Sequence, residues 1–296
     1  MHIRPKQHGF TLLEMSIVLV IVGLIIGSIM VGRTLIKASE IRATVRQYEQ
    51  FKAAITAFRL KYNALPGDIK RSDAAQFGFV CSPSNYATTC DGDGLIRQCP
   101  YDALNEPNGE TLLFWRHLVD AKLINGSYSA QFVTNTGAYP GADGYTGNYT
   151  AGDFFPYNNS LGKGYWLPGS SDGVNYLVLA GVTSVASNGS SYSYNSAKGL
   201  TPYEASGIDI KLDDGMPNTG TIQARPNFSG QGNFIYGTPD IVFTALSAGT
   251  ASAFATTPVA GTCQTGGSGS TDTSNTYAIG SIPTDRTACN LRLTFN

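Results

Sequence analysis

Three kinds of residue in this chain have a type and position suited to chemistry. The first is Glu14, a carboxylate directly followed by residues 15–31, a stretch with no charged side chain. An acid in lipid costs on the order of 2.5–3.5 kcal/mol on insertion scales, so it needs both a job and a partner. The second is a pair of aspartate groups beside glycines. Asp91 and Asp93 alternate with Gly92 and Gly94, and hard cations such as calcium take oxygen ligands of this kind. The EF-hand pattern is missing its third acid and closing glutamate, and an Asp-Gly turn solvated by its own carboxylates is the favoured reading. Asp209, Asp213 and Asp214 form the other group, which suits a hairpin turn before Gly215. The third is His117, the one histidine outside the first nine residues. It lies in an apolar segment with no nucleophile elbow, where a structural role is expected. Adjacent aspartates give no sign of the roughly 5–9.5 Å carboxylate separation of glycosidases. No enzymatic activity is expected.

The elements that must carry these residues begin with the apolar run. As a helix, residues 10–31 rise about 33 Å against a hydrocarbon core of roughly 30 Å. A plain single-pass anchor has that length but leaves Glu14 unexplained. A secretory signal would place its apolar core before the cleavage site. Here the Gly9–Phe10 junction comes first, so the apolar segment would survive processing. From Ile41 the pattern becomes one-sided: Val45, Tyr48, Phe51, Ile55, Phe58 and Tyr62 follow at steps of three and four. Arg42, Arg46, Glu49, Lys52 and Arg59 take other faces, so an amphipathic helix continues the apolar one. Asn63, Pro66 and Gly67 end it.

The stretch Lys6-Gln7-His8-Gly9-Phe10-Thr11-Leu12-Leu13-Glu14 resembles the processing signal of type IV prepilins and type II secretion pseudopilins. The resemblance implies that prepilin peptidase cuts after Gly9 and that the new N-terminal Phe10 is methylated, with Glu14 at the fifth mature position. It implies a single-pass inner-membrane precursor with a periplasmic head, and later a filament that can reach the cell surface. The expected fold class is α+β, a long N-terminal helix packed on an antiparallel sheet. The expected segments are a leader at 1–9, a membrane and assembly helix at 10–32, an amphipathic helix at 33–62 and a globular head at 63–296. One departure is the absence of the mid-membrane proline of many major pilins, with Gly23, Gly27 and Gly32 present instead. Leu65-Pro66-Gly67-Asp68, the Asp91–Gly94 run, Asn108-Gly109-Glu110, Ile124-Asn125-Gly126, Ile208-Asp209, Asp213-Asp214-Gly215 and Thr219-Gly220 resemble landmarks of large prepilin-like proteins. Some pseudopilins hold calcium in a head loop, which makes Asp91 and Asp93 candidate ligands for it.

Composition sets wider bounds. The 296 residues carry a formal charge of −1, with 34 glycines and 16 tyrosines, closer to an extracellular loop-rich β protein than to a cytosolic enzyme. Net charge gives no argument for a nucleic-acid partner. Of the five cysteines, Cys263 and Cys289 flank a Gly/Ser/Thr-rich run at 264–276, a natural loop to staple. The pairing of Cys81, Cys90 and Cys99 stays open, and their spacing is wrong for CxxC zinc or redox motifs. A second helix is expected over 108–123, with Asn108 as its N-cap. Strands are expected over 176–182, 208–212, 221–225, 241–246 and 290–295, with a surface loop over 184–199 and a loop-rich connection over 63–107.

The function these features imply is structural: a subunit of a type IV pilus or related pseudopilus, minor rather than major because of its bulky head. A type II secretion pseudopilin and a tip adhesin are the alternatives, the latter because many tyrosines lie in polar, glycine-rich segments. Partners are prepilin peptidase and other pilin or pseudopilin subunits. After cleavage, Phe10 and Glu14 stand four residues apart, about 6 Å along the helix axis. The new ammonium and the carboxylate are opposite charges in a low-dielectric setting. Glu14 would pair with the N-terminus of an adjacent subunit; an intrasubunit pair and a protonated glutamate are the alternatives.

Overall fold

The computed structural model describes residues 11–81, 90–96, 110–129, 150–171, 173–187, 192–197, 199–226, 263–265, 276–279 and 289–295. Two compact units divide the chain, Met1–Glu40 and Ile41–Asn296. Helix α1, Leu12–Tyr62, begins in the first and ends in the second. Its apolar window has a mean hydropathy of 2.7 with none of it buried, and among the described residues it is the helix long and apolar enough to cross a membrane. Large side chains such as Leu12, Leu19, Leu24 and Met30 are exposed there, as expected of a segment whose solvent is lipid or other subunits.

In the second unit α1 buries the stripe Ile41, Val45, Tyr48, Phe51, Ile55 and Phe58, while Arg42, Arg46, Glu49, Lys52 and Arg59 stay exposed. That is the one-sided pattern read from the sequence. Short helix α2, Arg71–Phe77, follows and stops at Gly78 in the left-handed conformation. Helix α3, Glu110–Asp120, buries most of its surface. The strands are β1 Tyr165–Ser171, β2 Val174–Ser187 and β3 Tyr192–Ala197, then, after helix α4 Pro202–Leu212, β4 Ile222–Pro226. The described chain ends with β5 Gln264–Thr265, β6 Thr276–Tyr277 and β7 Cys289–Thr294.

Four strands form an antiparallel sheet in the order β1-β2-β7-β4, and β3 pairs the distal part of β2. Register sets Leu177 opposite Leu293 and Leu179 opposite Leu291, with Ile222 and Ala224 opposite the same two leucines from the other side. These residues, Trp166 and the buried stripe of α1 belong to one core. The arrangement is α+β and consistent with a pilin-like plan.

At the centre, the Phe51 ring meets Trp115 edge-on at 4.7 Å and Trp166 at 5.8 Å. Both indoles are fully buried and both donate: Trp115 Nε1–H to the Trp166 carbonyl at 3.0 Å, Trp166 Nε1–H to Gln47 Oε1 at 3.1 Å. Tyr48 stacks on Trp166, and its hydroxyl donates to the Thr294 carbonyl at 2.8 Å. Burial raises that hydroxyl's pKa to about 12, so it stays a donor.

Several expectations need correction. Residues 208–212 are helical, the second half of α4. Thr201 accepts from Glu204 N–H, Glu204 caps Thr201 in return, and Pro202 opens the helix, so a reciprocal box wins over the β-branched Ile208 and Ile210. Asp213-Asp214-Gly215 therefore follows a helix and is no hairpin turn. Within the expected loop 184–199, residues 184–187 and 192–197 are strand, the end of β2 and all of β3, paired with a register shift between Val182 and Ser184. The connection after α1 contains α2. Expected strand 241–246 and N-cap Asn108 lie outside the described residues.

Phe51→Ala should destabilise the protein by about 3–5 kcal/mol, as for a large buried aromatic, while exposed Glu49→Ala should change stability by less than about 0.5 kcal/mol. Urea midpoints of the detergent-purified chain measure both.

Candidate functional site

Gly9 and Phe10, the residues of the expected cleavage and methylation, lie outside the described residues; Glu14 is described. Thr11 precedes the first helical residue, and its N–H and hydroxyl both donate to Glu14 Oε2 at 2.8 Å. Glu14 N–H donates back to Thr11 Oγ1 at 3.2 Å. This is a capping box, with the carboxylate at the positive end of the helix macrodipole. Thr11-x-x-Glu14 is its sequence signature, missed in favour of the charge argument alone. The carboxylate is thus held by donors from its own chain.

Within the second unit, Asp91 and Asp93 come together with Asp68, their carboxylate oxygens within 4.8 Å of one another. Asp68 was read only as part of a landmark, yet it organises the group. Its Oδ1 accepts from the N–H of Gly92 at 2.8 Å and of Asp93 at 3.2 Å, and Oδ2 accepts from Gly94 N–H at 2.7 Å. Asp91 accepts from Asp93 N–H, and Asp93 from Leu95 N–H. Positive φ at Gly92 and Gly94 lets the loop wrap around Asp68. Burial, with like charge from Asp93 and Asp91, raises the Asp68 carboxyl to about 7 against the lowering by Gly94 and Gly92 N–H. As a cation site the group offers three carboxylates whose oxygens already serve backbone donors, against the six to eight oxygens a calcium ion takes. Its donor set fits calcium only in part.

The second acidic group is built alike. Buried Asp209 accepts from the Tyr277 hydroxyl at 2.7 Å and from Gly215 N–H at 3.3 Å. Asp213 accepts from Thr221 and Ile222 N–H, closing the link from α4 to β4. Burial raises the Asp209 carboxyl to about 6 and raises the Tyr277 hydroxyl as well.

His117 is fully buried. Its Nδ1 accepts from Gly67 N–H at 2.9 Å, and Nε2, 2.7 Å from the Val80 carbonyl, donates. Those partners fix the neutral Nε2–H tautomer. Gly67 has φ +89°, and a Cβ there would collide with the Glu110 carbonyl. The histidine therefore pins the turn that delivers Asp68 to its loop. Its two nitrogens are both engaged with backbone groups, an arrangement that builds structure.

Among the described residues two disulfides form: Cys81 to Cys90, beside the acidic loop, and Cys263, just before β5, to Cys289 at the start of β7. Cys99 lies outside the described residues.

Burial lowers the His117 pKa from 6.5 to about 4. Unfolded chain therefore takes up a proton that the folded imidazole refuses. The stability His117 carries is full above pH 6.5 and falls as pH drops toward 4, by on the order of 3 kcal/mol. Urea midpoints between pH 7 and pH 4 should fall more steeply for the native chain than for His117→Gln. Equal slopes would contradict the assignment.

Comparison with known families places one segment. Residues 4–30 match the family described as prokaryotic N-terminal methylation motif, the prepilin-type cleavage and methylation signal. No curated protein and no solved structure matches the chain. The motif implies processing by prepilin peptidase and assembly with other pilins, and with the single apolar N-terminal helix it fits membrane anchoring before assembly. The chain carries the signal of a type IV pilin or pseudopilin-type precursor.

Proposed function

We propose that the protein is a structural subunit, a minor pilin, of a type IV pilus or related pseudopilus. The observation that carries this reading is the signal over residues 4–30, with Glu14 at the head of an unburied apolar helix. In this reading the leader ends at Gly9, the head is periplasmic before assembly, and the mature chain begins at a methylated Phe10. Methylation keeps the positive charge on the terminal nitrogen. On assembly, Glu14 leaves Thr11 and accepts from the terminal ammonium of a neighbouring subunit, which satisfies both charges and fixes axial register.

The aspartate landmarks support a scaffold role for the head, since Asp68, Asp209 and Asp213 each accept from backbone N–H groups and so tie loops in place. A calcium ion at the acidic loop would be held by Asp68, Asp91 and Asp93 and would neutralise their mutual repulsion. The size of the head favours a minor subunit, present in few copies per filament.

Glu14→Gln should leave membrane insertion and head folding intact yet lower incorporation into sheared filaments at least tenfold beside wild-type subunits, while Glu14→Asp keeps part of it. Quantifying the chain in that preparation also separates the readings within the class. Trace abundance supports a minor pilin, and abundance comparable to the main subunit refutes it. A secretion defect in a deletion strain with intact pili points instead to a type II secretion pseudopilin. Normal incorporation of Glu14→Gln would refute the pairing.

A further inference from the structure

A cleft of about 600 Å³ lies within the second unit, between the end of α1, the acidic loop and the start of β2. Lys52, Thr56 and Arg59 form one wall. They follow at steps of four and three, so they share a face of α1, with Lys52 and Arg59 about 10 Å apart along its axis. Lys70 stands in the opposite wall, its methylene stem against Gly92, where a Cβ would collide with it. All four side chains are exposed, and among the described residues Lys52, Arg59 and Lys70 form no ion pair.

The lining also holds two acids, one buried and one half-buried. Buried Asp68 accepts from three backbone N–H groups, and Asp73 accepts from the Ser72 hydroxyl. The apolar members Ile55, Leu65 and Phe295 are 3%, 7% and 3% exposed, so they offer almost no surface to a ligand. What remains is a concave surface with three exposed cations, the half-buried Asp73 carboxylate among them, and the Asn63 amide and the Thr56 hydroxyl oxygen beside them, the latter already donating to the Lys52 carbonyl. A hydrophobic ligand or an anchored peptide would need apolar pockets that this surface lacks.

We propose that this cleft binds an anionic saccharide, a sugar acid or sulfated sugar of two or three rings. Its volume falls within the range of roughly 300–1,000 Å³ usual for small-ligand sites and far exceeds that needed by a single inorganic anion. Arg59 offers a two-pronged donor to a carboxylate or sulfate. Lys52 and Lys70 supply point charges for further acidic groups, and Thr56 and Asn63 suit ring hydroxyls. The site does not depend on the processing signal, so it stands or falls separately from the subunit role.

Titration calorimetry of the full chain in nonionic detergent tests it, with trigalacturonate and a sulfated heparin disaccharide as probes and maltotriose and pyrophosphate as controls. The expected result is saturable one-to-one binding of at least one acidic sugar, none of maltotriose, and clearly weaker binding of pyrophosphate. Lys52→Gln and Arg59→Gln, both at exposed positions, should each weaken that binding about tenfold, as for loss of one charge-assisted hydrogen bond, with unchanged circular dichroism. The proposal is overturned if neither acidic sugar saturates, if maltotriose binds equally, or if pyrophosphate binds as tightly, which would mark a simple anion trap. Undiminished binding in both variants would place the sugar elsewhere and overturn it too.

Discussion

The head is organised around one contact, the Phe51 ring held edge-on between two buried indoles. Trp115 arrives from α3 and Trp166 from β1, and each indole N–H finds a partner without leaving the core. Large aromatic rings bury much area at low entropic cost, and their edge-to-face preference fixes orientation as well as distance. That contact seats the apolar stripe of α1 on the sheet, and the Tyr48 hydroxyl then ties the same helix to the last strand. Three chain segments distant in sequence are thereby held in one register.

Around this centre, the loops are closed by a recurring device. A buried or half-buried aspartate turns its oxygens toward successive backbone N–H groups: Asp68 toward Gly92, Asp93 and Gly94, and Asp213 toward Thr221 and Ile222. A carboxylate that accepts several N–H bonds satisfies donors that would be costly to leave unpaired. His117 Nδ1 likewise accepts from Gly67 N–H, while its Nε2–H donates to the Val80 carbonyl. The residues that first invite a catalytic or metal reading thus also hold loops together. Exposed cationic side chains lie along Lys52, Arg59 and Lys70.

The fold class was legible because its signals are periodic. Steps of three and four from Ile41 to Phe58 mark the buried stripe of α1, and the apolar runs within β2 and β7 mark two of the strands, while the antiparallel sheet was implied by the resemblance of the N-terminal segment. Errors arose where local pairing outweighed composition. The isoleucines at 208 and 210 suggest a strand, but Thr201 and Glu204 cap each other and start a helix. Tyr192-Ser193-Tyr194 alternates as a strand should, yet its polarity reads as loop. Of the N-terminal site, the charge of Glu14 was plain and its bond to Thr11 was written in the same four residues. Asp68's part was not visible, because its partners lie more than twenty positions away and only the folded turn brings them near.

If the chain assembles as proposed, Glu14 exchanges its own Thr11 for the terminal ammonium of a neighbour. Zero-length carbodiimide cross-linking of filaments mixed from isotopically heavy and light subunits measures that contact directly. The expected product is a cross-linked peptide joining the Phe10 amine of one subunit to Glu14 of another, seen as mixed heavy–light pairs. Filaments that yield Glu14 cross-links only within a single subunit, or none, would contradict it.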